Sequence, residues 1–312
     1  MSHKETKATK INFLVCFVSL WGKIIKNKII IYQKVKMKLY KTKTGIIIEK
    51  ENKFYSGPNE NWDSFINDDS LLQKLEHLTQ SLTASTNDLL KDILAPIGSN
   101  QELWACGVTY LRSKVGRQEE SKSSGGADFY VKVYQAERPE VFFKSTPHRI
   151  VGTNDYVRIR KDSTWDVPEP ELTLVVTSSG KIVGYTIGND MSSRSIEGEN
   201  PLYLPQAKTY DKSAALGPCV YVTDKPLDSN TMIQLEIKRN QVTIFKDNIA
   251  ISQMKRTAEE LVSFVYRECS FPHGCLIMTG TGIVPGSDFT LKSGDVIKIS
   301  IDEIGELKNI VE

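Results

Sequence analysis

The stretch that decides the fold is residues 166–190, which read DVPEPELTLVVTSSGKIVGYTIGND. Two runs rich in Val, Ile, Leu and Thr, LTLVV and KIVGYTI, flank the turn sequence SSG at 178–180. Such runs on either side of a glycine-containing turn predict a β-hairpin. Pro168 and Pro170 cannot donate a backbone hydrogen bond to a neighbouring strand, which places them at a strand start or at a sheet edge.

Three carboxylates of this hairpin are expected on one face. Glu169 and Glu171 are two residues apart, so their side chains point to the same side of an extended strand. Folding the hairpin about residues 179–180 sets Asp190 opposite Glu169, and shifting the loop by one residue sets it opposite Pro168. Either register brings the three acids together.

Converging carboxylates repel one another unless a cation lies between them. A hard divalent cation with oxygen ligands is the economical partner. Because the segment has no His or Cys, Mg²⁺ or Mn²⁺ is favoured over zinc, and Ca²⁺ is also possible. The spacing alone leaves an alternative open, in which the two glutamates lie on a solvated strand face and Asp190 caps a turn.

The rest of the chain predicts an α+β, strand-rich fold. Short β-rich runs separated by turn signals extend from residue 130 to the C-terminus. Helices are expected within 60–95, where leucines recur at a spacing of three to four, and at 257–267, where Thr257 and Glu260 fit a capping box. The polar, Gly- and Ser-rich segment 112–127 predicts a mobile loop, either a lid over a site or a solvated insertion.

Three segments are expected along the chain. Residues 37–100 would form a small N-terminal α/β domain and residues 101–312 the catalytic domain. Residues 1–36 contain an apolar run at 11–21, which has the length of a signal-peptide core and is shorter than the ~20 residues of a spanning helix. We expect 1–36 to be a disordered or spurious extension; a signal or anchor, or a real structural element, are the alternatives.

The composition excludes several classes of protein. The 312 residues are 40% hydrophobic and 25% charged, as in a globular protein. The net charge is +2, but residues 1–36 contain eight Lys and one Glu and so carry +7, which leaves −5 on the rest. Because residues 37–312 are mildly acidic, we expect no nucleic-acid partner. No membrane span is expected either. The five cysteines lack metal-site spacing, which favours reduced thiols in a cytoplasmic protein.

Five sequence blocks resemble, in order, the signatures of the fumarylacetoacetate hydrolase superfamily. They are PEPELTLVV at 168–176, GYTIGNDMSSR at 184–194, QAKTYDKSAALGPC at 206–219, LIMTGTGIVPG at 276–286 and LKSGDVIKISIDEIGEL at 291–307. The resemblance covers roughly residues 104–312 and implies that family's mixed β-sandwich or roll. It also implies a divalent metal, usually Mg²⁺, on Glu169, Glu171 and Asp190, the same three residues that the hairpin brings together.

Within the superfamily, residues 134–152 and 196–211 are similar to the 2-keto-3-deoxy-pentonate dehydratases. This similarity implies dehydration of a 2-oxo sugar acid to 2,5-dioxopentanoate by a homodimer or homotetramer. It makes Lys208 the candidate base at C3 and Glu140 the group that helps the C4 hydroxyl leave. Thr281 is expected to contact the substrate carboxylate, with Tyr110 and Gly280 as further substrate-binding residues.

Two departures from the family pattern bear on the reaction. Hydrolytic members carry an Asn-Tyr-x-x-His block, whereas residues 109–113 here read TYLRS, with Ser113 in place of the water-activating His. Dehydration is therefore favoured over C–C hydrolysis, and decarboxylation or isomerisation of a 2-oxo acid stays open as an alternative. Ser195 stands where many relatives have Asp. Arg194 and Glu197 could either line the site or hold its loops by salt bridges.

Overall fold

The computed structural model describes residues 36–86, 89–120 and 127–312. The predicted hairpin forms from β8 and β9, and all eleven residues of β8 are buried. The strands are β1 (Met37–Thr42), β2 (Gly45–Lys50), β3 (Lys53–Ser56), β4 (Glu102–Gly107), β5 (Glu140–Ser145), β6 (Ile150–Val151), β7 (Tyr156–Val157), β8 (Asp166–Val176), β9 (Ile182–Ser193), β10 (Ala214–Val222), β11 (Met232–Arg239), β12 (Val242–Ala250), β13 (Cys275–Met278), β14 (Val296–Ile301) and β15 (Gly305–Val311). The helices are α1 (Trp62–Ile66), α2 (Leu71–Ser81), α3 (Leu111–Glu120), α4 (Ala127–Gln135), α5 (Arg194–Glu199), α6 (Leu204–Lys208) and α7 (Ala258–Val265).

The strands form two mixed sheets, as the α+β prediction requires. The larger sheet has ten strands in the order β3-β2-β1-β10-β9-β8-β13-β4-β5, with β6 paired to β10, and the smaller has the order β12-β11-β14-β15-β7. The hairpin therefore lies at the centre of the larger sheet. Strands β1 to β3 extend the same sheet, and the boundary expected near residue 100 stays a prediction.

Both faces of the hairpin are covered. On one face, Leu174 of β8 and Ile187 of β9 share a core with apolar residues of the smaller sheet such as Ile299. On the other face, Val175 belongs to a second core that includes side chains of α1 and α2. Such double burial explains why LTLVV and KIVGYTI are nearly continuous apolar runs.

The helix predictions have mixed outcomes. At 257–267 the helix is confirmed as α7: Thr257 caps it by accepting a hydrogen bond from the Glu260 backbone N–H at 3.1 Å. The Glu260 carboxylate binds Arg256 at 2.5 Å, so the reciprocal half of the capping box is replaced by an ion pair. The loop predicted at 112–127 is wrong over its first half, because residues up to 120 belong to α3.

The N-terminal extension and its alternatives lie outside the described residues. Within residues 36–86, 89–120 and 127–312, none of the helices has the length and apolar character that crossing a bilayer requires. The four described cysteines, Cys106, Cys219, Cys269 and Cys275, are free thiols.

Candidate metal centre

The register of the hairpin brings the three predicted carboxylates together. Glu169 lies directly opposite Asp190, which confirms the first of the two expected registers. The three residues are 4%, 1% and 1% exposed for Glu169, Glu171 and Asp190. One carboxylate oxygen from each lies within 4.8 Å of the others. Together they form a buried acidic triad.

The local sheet geometry explains why the triad lies where it does. Strand β9 pairs with β8 along residues 166–176, whereas β13 pairs only with residues 173–176 on the other edge of β8. Pro168 and Pro170 thus occupy the part of β8 that extends beyond β13, as their missing N–H groups require. The chain leaves β13 through Gly280, whose φ of +92° suits glycine and whose N–H donates to Glu171 Oε2 at 2.5 Å.

Lys208 lies directly against the triad. Its Nζ donates to Glu169 Oε2 at 2.7 Å, Asp190 Oδ2 at 3.1 Å and Ser192 Oγ at 2.6 Å. The side chain comes from the last residue of the short helix α6 and is 1% exposed. The structure therefore brings the predicted base into contact with two of the three predicted metal ligands.

Two further cations contact the triad from other elements. Lys144 of β5 is completely buried, and its Nζ lies 2.5 Å from Asp190 Oδ1 and donates to the Met191 carbonyl oxygen at 3.1 Å. Arg194, the first residue of α5, donates from Nη2 to Glu169 Oε1 at 2.7 Å. Burial of the three acids is thus partly offset by buried positive charge, as it must be in a low-dielectric interior.

The pKa shifts show how uneven this compensation is. Burial, followed by the charges of Asp190 and Glu169, raises the pKa of Glu171 well above its ordinary value. Burial acts in the same sense on Asp190, but Lys144 and Lys208 outweigh it and lower the pKa of that carboxyl. Burial lowers the pKa of Lys144 despite the opposing charge of Asp190. The negative charge of Glu171 is therefore less well compensated than that of Asp190.

The donor set fits a hard divalent cation. Three buried carboxylates converge within 4.8 Å of one another, and like charges this close repel unless a cation lies between them. Mg²⁺ and Ca²⁺ take oxygen ligands of this kind, whereas zinc sites usually include His or Cys. The residues that could hold a metal are therefore Glu169, Glu171 and Asp190.

Glu140 lies next to the wall of the same cavity, beside the lining residue Gly107. It is opposite Gly107 in the β4–β5 pair, and a Cβ added to Gly107 would lie 1.8 Å from Glu140 Oε2. Gly107 itself lines the cavity. Glu140 Oε2 is buried and has no hydrogen-bond partner among the described residues. This carboxyl oxygen beside the cavity could therefore form a hydrogen bond with a bound ligand.

Helix α3 forms part of the cavity wall. Ser113 and Arg117 of this helix line it, and Arg117 forms an ion pair with Glu197 of α5. The Ser113 hydroxyl donates to the Tyr110 carbonyl oxygen at 2.8 Å, a hydrogen bond within the first turn of the helix. The cavity volume is about 10 Å³, which is room for one water molecule.

The remaining predicted residues separate into two groups. Gly280 and Thr281 line the cavity, and the Thr281 hydroxyl donates to the Ile283 carbonyl oxygen at 3.2 Å. Tyr110 is 1% exposed within the hydrophobic core and is not among the cavity-lining residues. Ser195 lies outside the cavity, where its hydroxyl contacts Ser163 Oγ at 2.9 Å.

Sequence reasoning missed Lys144 and Arg117, and for Arg194 and Glu197 it left open whether they line the site or hold its loops. A signal for Lys144 was present, because Glu140, Phe142 and Lys144 alternate along β5 and so share one face of the strand. Phe142 lines the cavity, and its ring lies 5.9 Å from Lys208 Nζ. No comparable indication was present for Arg117, because the polar segment that contains it was predicted to be a loop.

Comparison with known proteins gives consistent matches. The family described as "Fumarylacetoacetate (FAA) hydrolase C-terminal" matches residues 111–312. A "Probable 2-keto-3-deoxyxylonate dehydratase" of Haloferax volcanii is 49% identical over 68% of this chain and 72% of its own length. A "2-dehydro-3-deoxy-D-arabinonate dehydratase" of Saccharolobus solfataricus is 42% identical over 66% of this chain and 70% of its own. Among solved structures, 2-keto-3-deoxy-D-arabinonate dehydratase complexed with magnesium and 2,5-dioxopentanoate matches with a TM-score of 0.74 at 34% identity, covering 89% of this chain and 98% of that one.

Proposed function

This chain belongs to the fumarylacetoacetate hydrolase family, and we propose that it is a hydro-lyase that removes water from a 2-keto-3-deoxy-pentonate to give 2,5-dioxopentanoate. Two relatives that carry dehydratase names, at 49% and 42% identity, support the reaction class. The observation in this chain that carries the proposal is the contact of Lys208 with a buried acidic triad. The uncharged Ser113 in the cavity wall supports dehydration over hydrolysis.

We propose Mg²⁺ as the ion held by Glu169, Glu171 and Asp190, with Mn²⁺ or Ca²⁺ as possible substitutes. The solved neighbour complexed with magnesium supports this choice. A divalent cation at such a site withdraws electron density from the substrate's 2-oxo group, which makes the protons on C3 more acidic.

The residues around the triad supply the proton transfers. Lys208, as the neutral amine, would accept a proton from C3, and its contacts with Glu169, Asp190 and Ser192 fix its position. Glu140 would donate a proton to the C4 hydroxyl, which leaves as water. A double bond between C3 and C4 results, and transfer of one C5 hydrogen and the C5 hydroxyl proton to C3 and C4 gives the aldehyde. Thr281 is the proposed contact of the substrate carboxylate.

Substrate entry requires helix α3 to move. The cavity of about 10 Å³ has room for about one water molecule, so it would have to widen to admit a five-carbon acid. The helix carries Arg117 and Ser113 in the cavity wall, and their return after substrate binding would exclude bulk water from the reacting carbons. This gives residues 112–120, the part of the segment that belongs to α3, a proposed role as a lid.

Incubation of the purified protein with 2-keto-3-deoxy-pentonates and Mg²⁺ tests the proposal, with product formation followed by NMR. We expect 2,5-dioxopentanoate to form, to cease with a chelator and to return with added Mg²⁺. Lys208→Ala should abolish turnover, while the matched control Lys212→Ala, an exposed lysine paired with Glu312 at 2.8 Å, should retain it. Release of pyruvate from an acylpyruvate, without water loss from the sugar acids, would instead identify a C–C hydrolase.

We further propose a cytoplasmic location and a homodimer or homotetramer. Four free thiols at Cys106, Cys219, Cys269 and Cys275 are compatible with a reducing compartment. Light scattering coupled to size-exclusion chromatography measures the assembly directly, and a single-chain mass would contradict this part of the proposal.

A further inference from the structure

A second buried ion pair lies behind the cavity wall. Arg117 of α3 and Glu197 of α5 are 3% and 0% exposed, and Arg117 Nη1 contacts Glu197 Oε1. The Arg117 guanidinium also lies 5.6 Å from the centre of the Tyr130 ring. Arg117 lines the cavity, whereas Glu197 does not line it and contacts Arg117 from behind. The cation that α3 presents to a ligand is therefore already neutralised by the protein.

The charges around the cavity form a nearly balanced set. We count the ionisable side chains that line the cavity, contact its wall or pair with a lining side chain. The carboxylates are Glu140, Glu169, Glu171, Asp190 and Glu197, and the cations are Arg117, Lys144, Arg194 and Lys208. The formal total is one negative charge, and it is the same when Lys208 is the neutral amine and Glu140 the protonated acid, as the proposed reaction requires. A divalent cation on the triad would change it to one positive charge.

A ligand with a single carboxylate completes this balance. An anion with one charge brings the closed cavity to neutrality, whereas a dicarboxylate leaves one negative charge buried without a partner. Buried uncompensated charge is costly because the interior has a low dielectric constant. Arg194 is not simply available to pair with a second substrate carboxylate, because its Nη2 donates to Glu169 at 2.7 Å.

We infer that Glu197 is a specificity-determining residue, which neutralises Arg117 and so makes the cavity select 2-oxo acids with one carboxylate and an uncharged tail against 2-oxo dicarboxylates. The inference rests on the proposed function, because it concerns the ligand of the same site. It gives the Arg117–Glu197 pair a task beyond holding α3 against α5: without Glu197, Arg117 would offer its charge to a second carboxylate. The pair acts through charge balance, and Glu197 does not touch the substrate.

Two five-carbon probes isolate this effect. 2-Oxopentanoate and 2-oxoglutarate have the same carbon chain and 2-oxo acid group and differ in the second carboxylate. Calorimetric titration of the Mg²⁺-loaded protein gives the ratio of their dissociation constants without any turnover. We expect the wild type to bind 2-oxopentanoate at least tenfold more tightly. Glu197→Gln should shift the ratio about tenfold towards 2-oxoglutarate, because like-charge contacts are strongly unfavourable when buried.

Arg117→Gln provides the opposite test. It leaves the Glu197 charge beside the cavity, so the ratio should move further towards 2-oxopentanoate. Glu199→Gln is the matched control, since Glu199 is exposed on the same helix and should leave the ratio at the wild-type value. Folding of each variant is checked by circular dichroism. If Glu197→Gln does not fold, the inference is tested by the direction in which Arg117→Gln changes the ratio of the two dissociation constants.

The inference is overturned if the wild type binds both probes equally, or if the ratio changes less than threefold in every folded variant. A shift of threefold or more in the stated directions supports it. The dehydration assay is run in parallel on the sugar acids. Absence of water loss with the predicted probe ratios would refute the proposed function alone, and water loss with unchanged ratios would refute the role of Glu197 alone.

Discussion

Lys144 shows that the site depends on a residue outside the lining of the cavity. It is completely buried, and its Nζ reaches Asp190 Oδ1 and the carbonyl oxygen of Met191. It also donates to the carbonyl oxygen of Lys208, so one ammonium group joins β9 to the helix that carries the proposed base. Each of these acceptors would be left without its partner if the ammonium were removed.

We therefore expect Lys144→Met to lower the free energy of unfolding by about 3–5 kcal/mol, as is usual when one partner of a buried ion pair is removed. Urea titration of the metal-free protein measures this. Lys298→Met is the control, because the Lys298–Glu306 pair is exposed and should contribute less than about 1 kcal/mol. Equal losses in the two variants would contradict the role assigned to Lys144.

Asp166, at the start of β8, gives a prediction on pH. Burial raises the pKa of this carboxyl to about 6, and its Oδ1 has no hydrogen-bond partner among the described residues. The folded state therefore favours the protonated form. Below pH ~4 the group is protonated in both the folded and the unfolded state and has no effect on stability. Between about pH 4 and 6 the unfolded state ionises first, so stability falls across this range and stays at the lower value above it.

Asp166→Asn should accordingly stabilise the protein at pH 7–8 by about 1–2 kcal/mol, a value reduced from the full shift to allow for solvent screening. The gain should vanish near pH 4. Thermal unfolding of both proteins across this range checks the sign. A variant that is less stable than the wild type at pH 8 would show that the Asp166 carboxylate is stabilised by its surroundings.

At the level of elements, the hairpin was predictable and helix α3 was not. The hairpin has apolar runs, a glycine-containing turn and two prolines, and these local features predict that it forms. They leave two registers open, of which the structure has Glu169 opposite Asp190. Residues 111–120 read LRSKVGRQEE, which lacks an apolar stripe. Its buried Ser113 and Arg117 face a polar cavity, so the helix is stabilised by tertiary contacts that no local pattern records.

The pairing of β4 with β5 gives a prediction at the same scale. A Cβ on Gly107 would lie 1.8 Å from Glu140 Oε2, the mobile end of that side chain. Gly107→Ala should therefore displace the Glu140 carboxyl and reduce kcat at least tenfold, with a small change in stability. Steady-state kinetics and thermal unfolding separate the two effects. In the control Gly286→Ala the added Cβ meets Asp288 Oδ1 at 2.7 Å in an exposed loop, and turnover should be retained.

For the whole molecule, the two sheets together with α1 and α2 bury the hairpin on both faces, and that burial sets the properties of the metal centre. The sequence identified the three acids but not the number of cations that the fold would place against them. Lys144, Arg194 and Lys208 come from β5, α5 and α6, which are separate elements of the chain. Their charges compensate Asp190 and Glu169 and leave Glu171 with a strongly raised pKa.

This imbalance predicts that metal binding depends on pH. In the metal-free protein the raised pKa of Glu171 favours the protonated carboxyl, and a metal ligand must be ionised. Binding of Mg²⁺ should therefore release a proton from Glu171, and the affinity should increase as the pH rises, by up to about tenfold per pH unit below that pKa. Calorimetric titrations in two buffers of different ionisation enthalpy count the released proton.

The control is Glu171→Gln, which cannot release a proton and whose weaker Mg²⁺ binding should lose most of its pH dependence. Mg²⁺ at about 100 times its dissociation constant should raise the free energy of unfolding of the wild type by about 2.7 kcal/mol. At the same Mg²⁺ concentration this gain should decrease as the pH falls. An affinity that is constant between pH 5 and 8 would mean that Glu171 is already ionised before the metal arrives. The excess of buried negative charge would then have to be compensated by a protein group other than the cations described here.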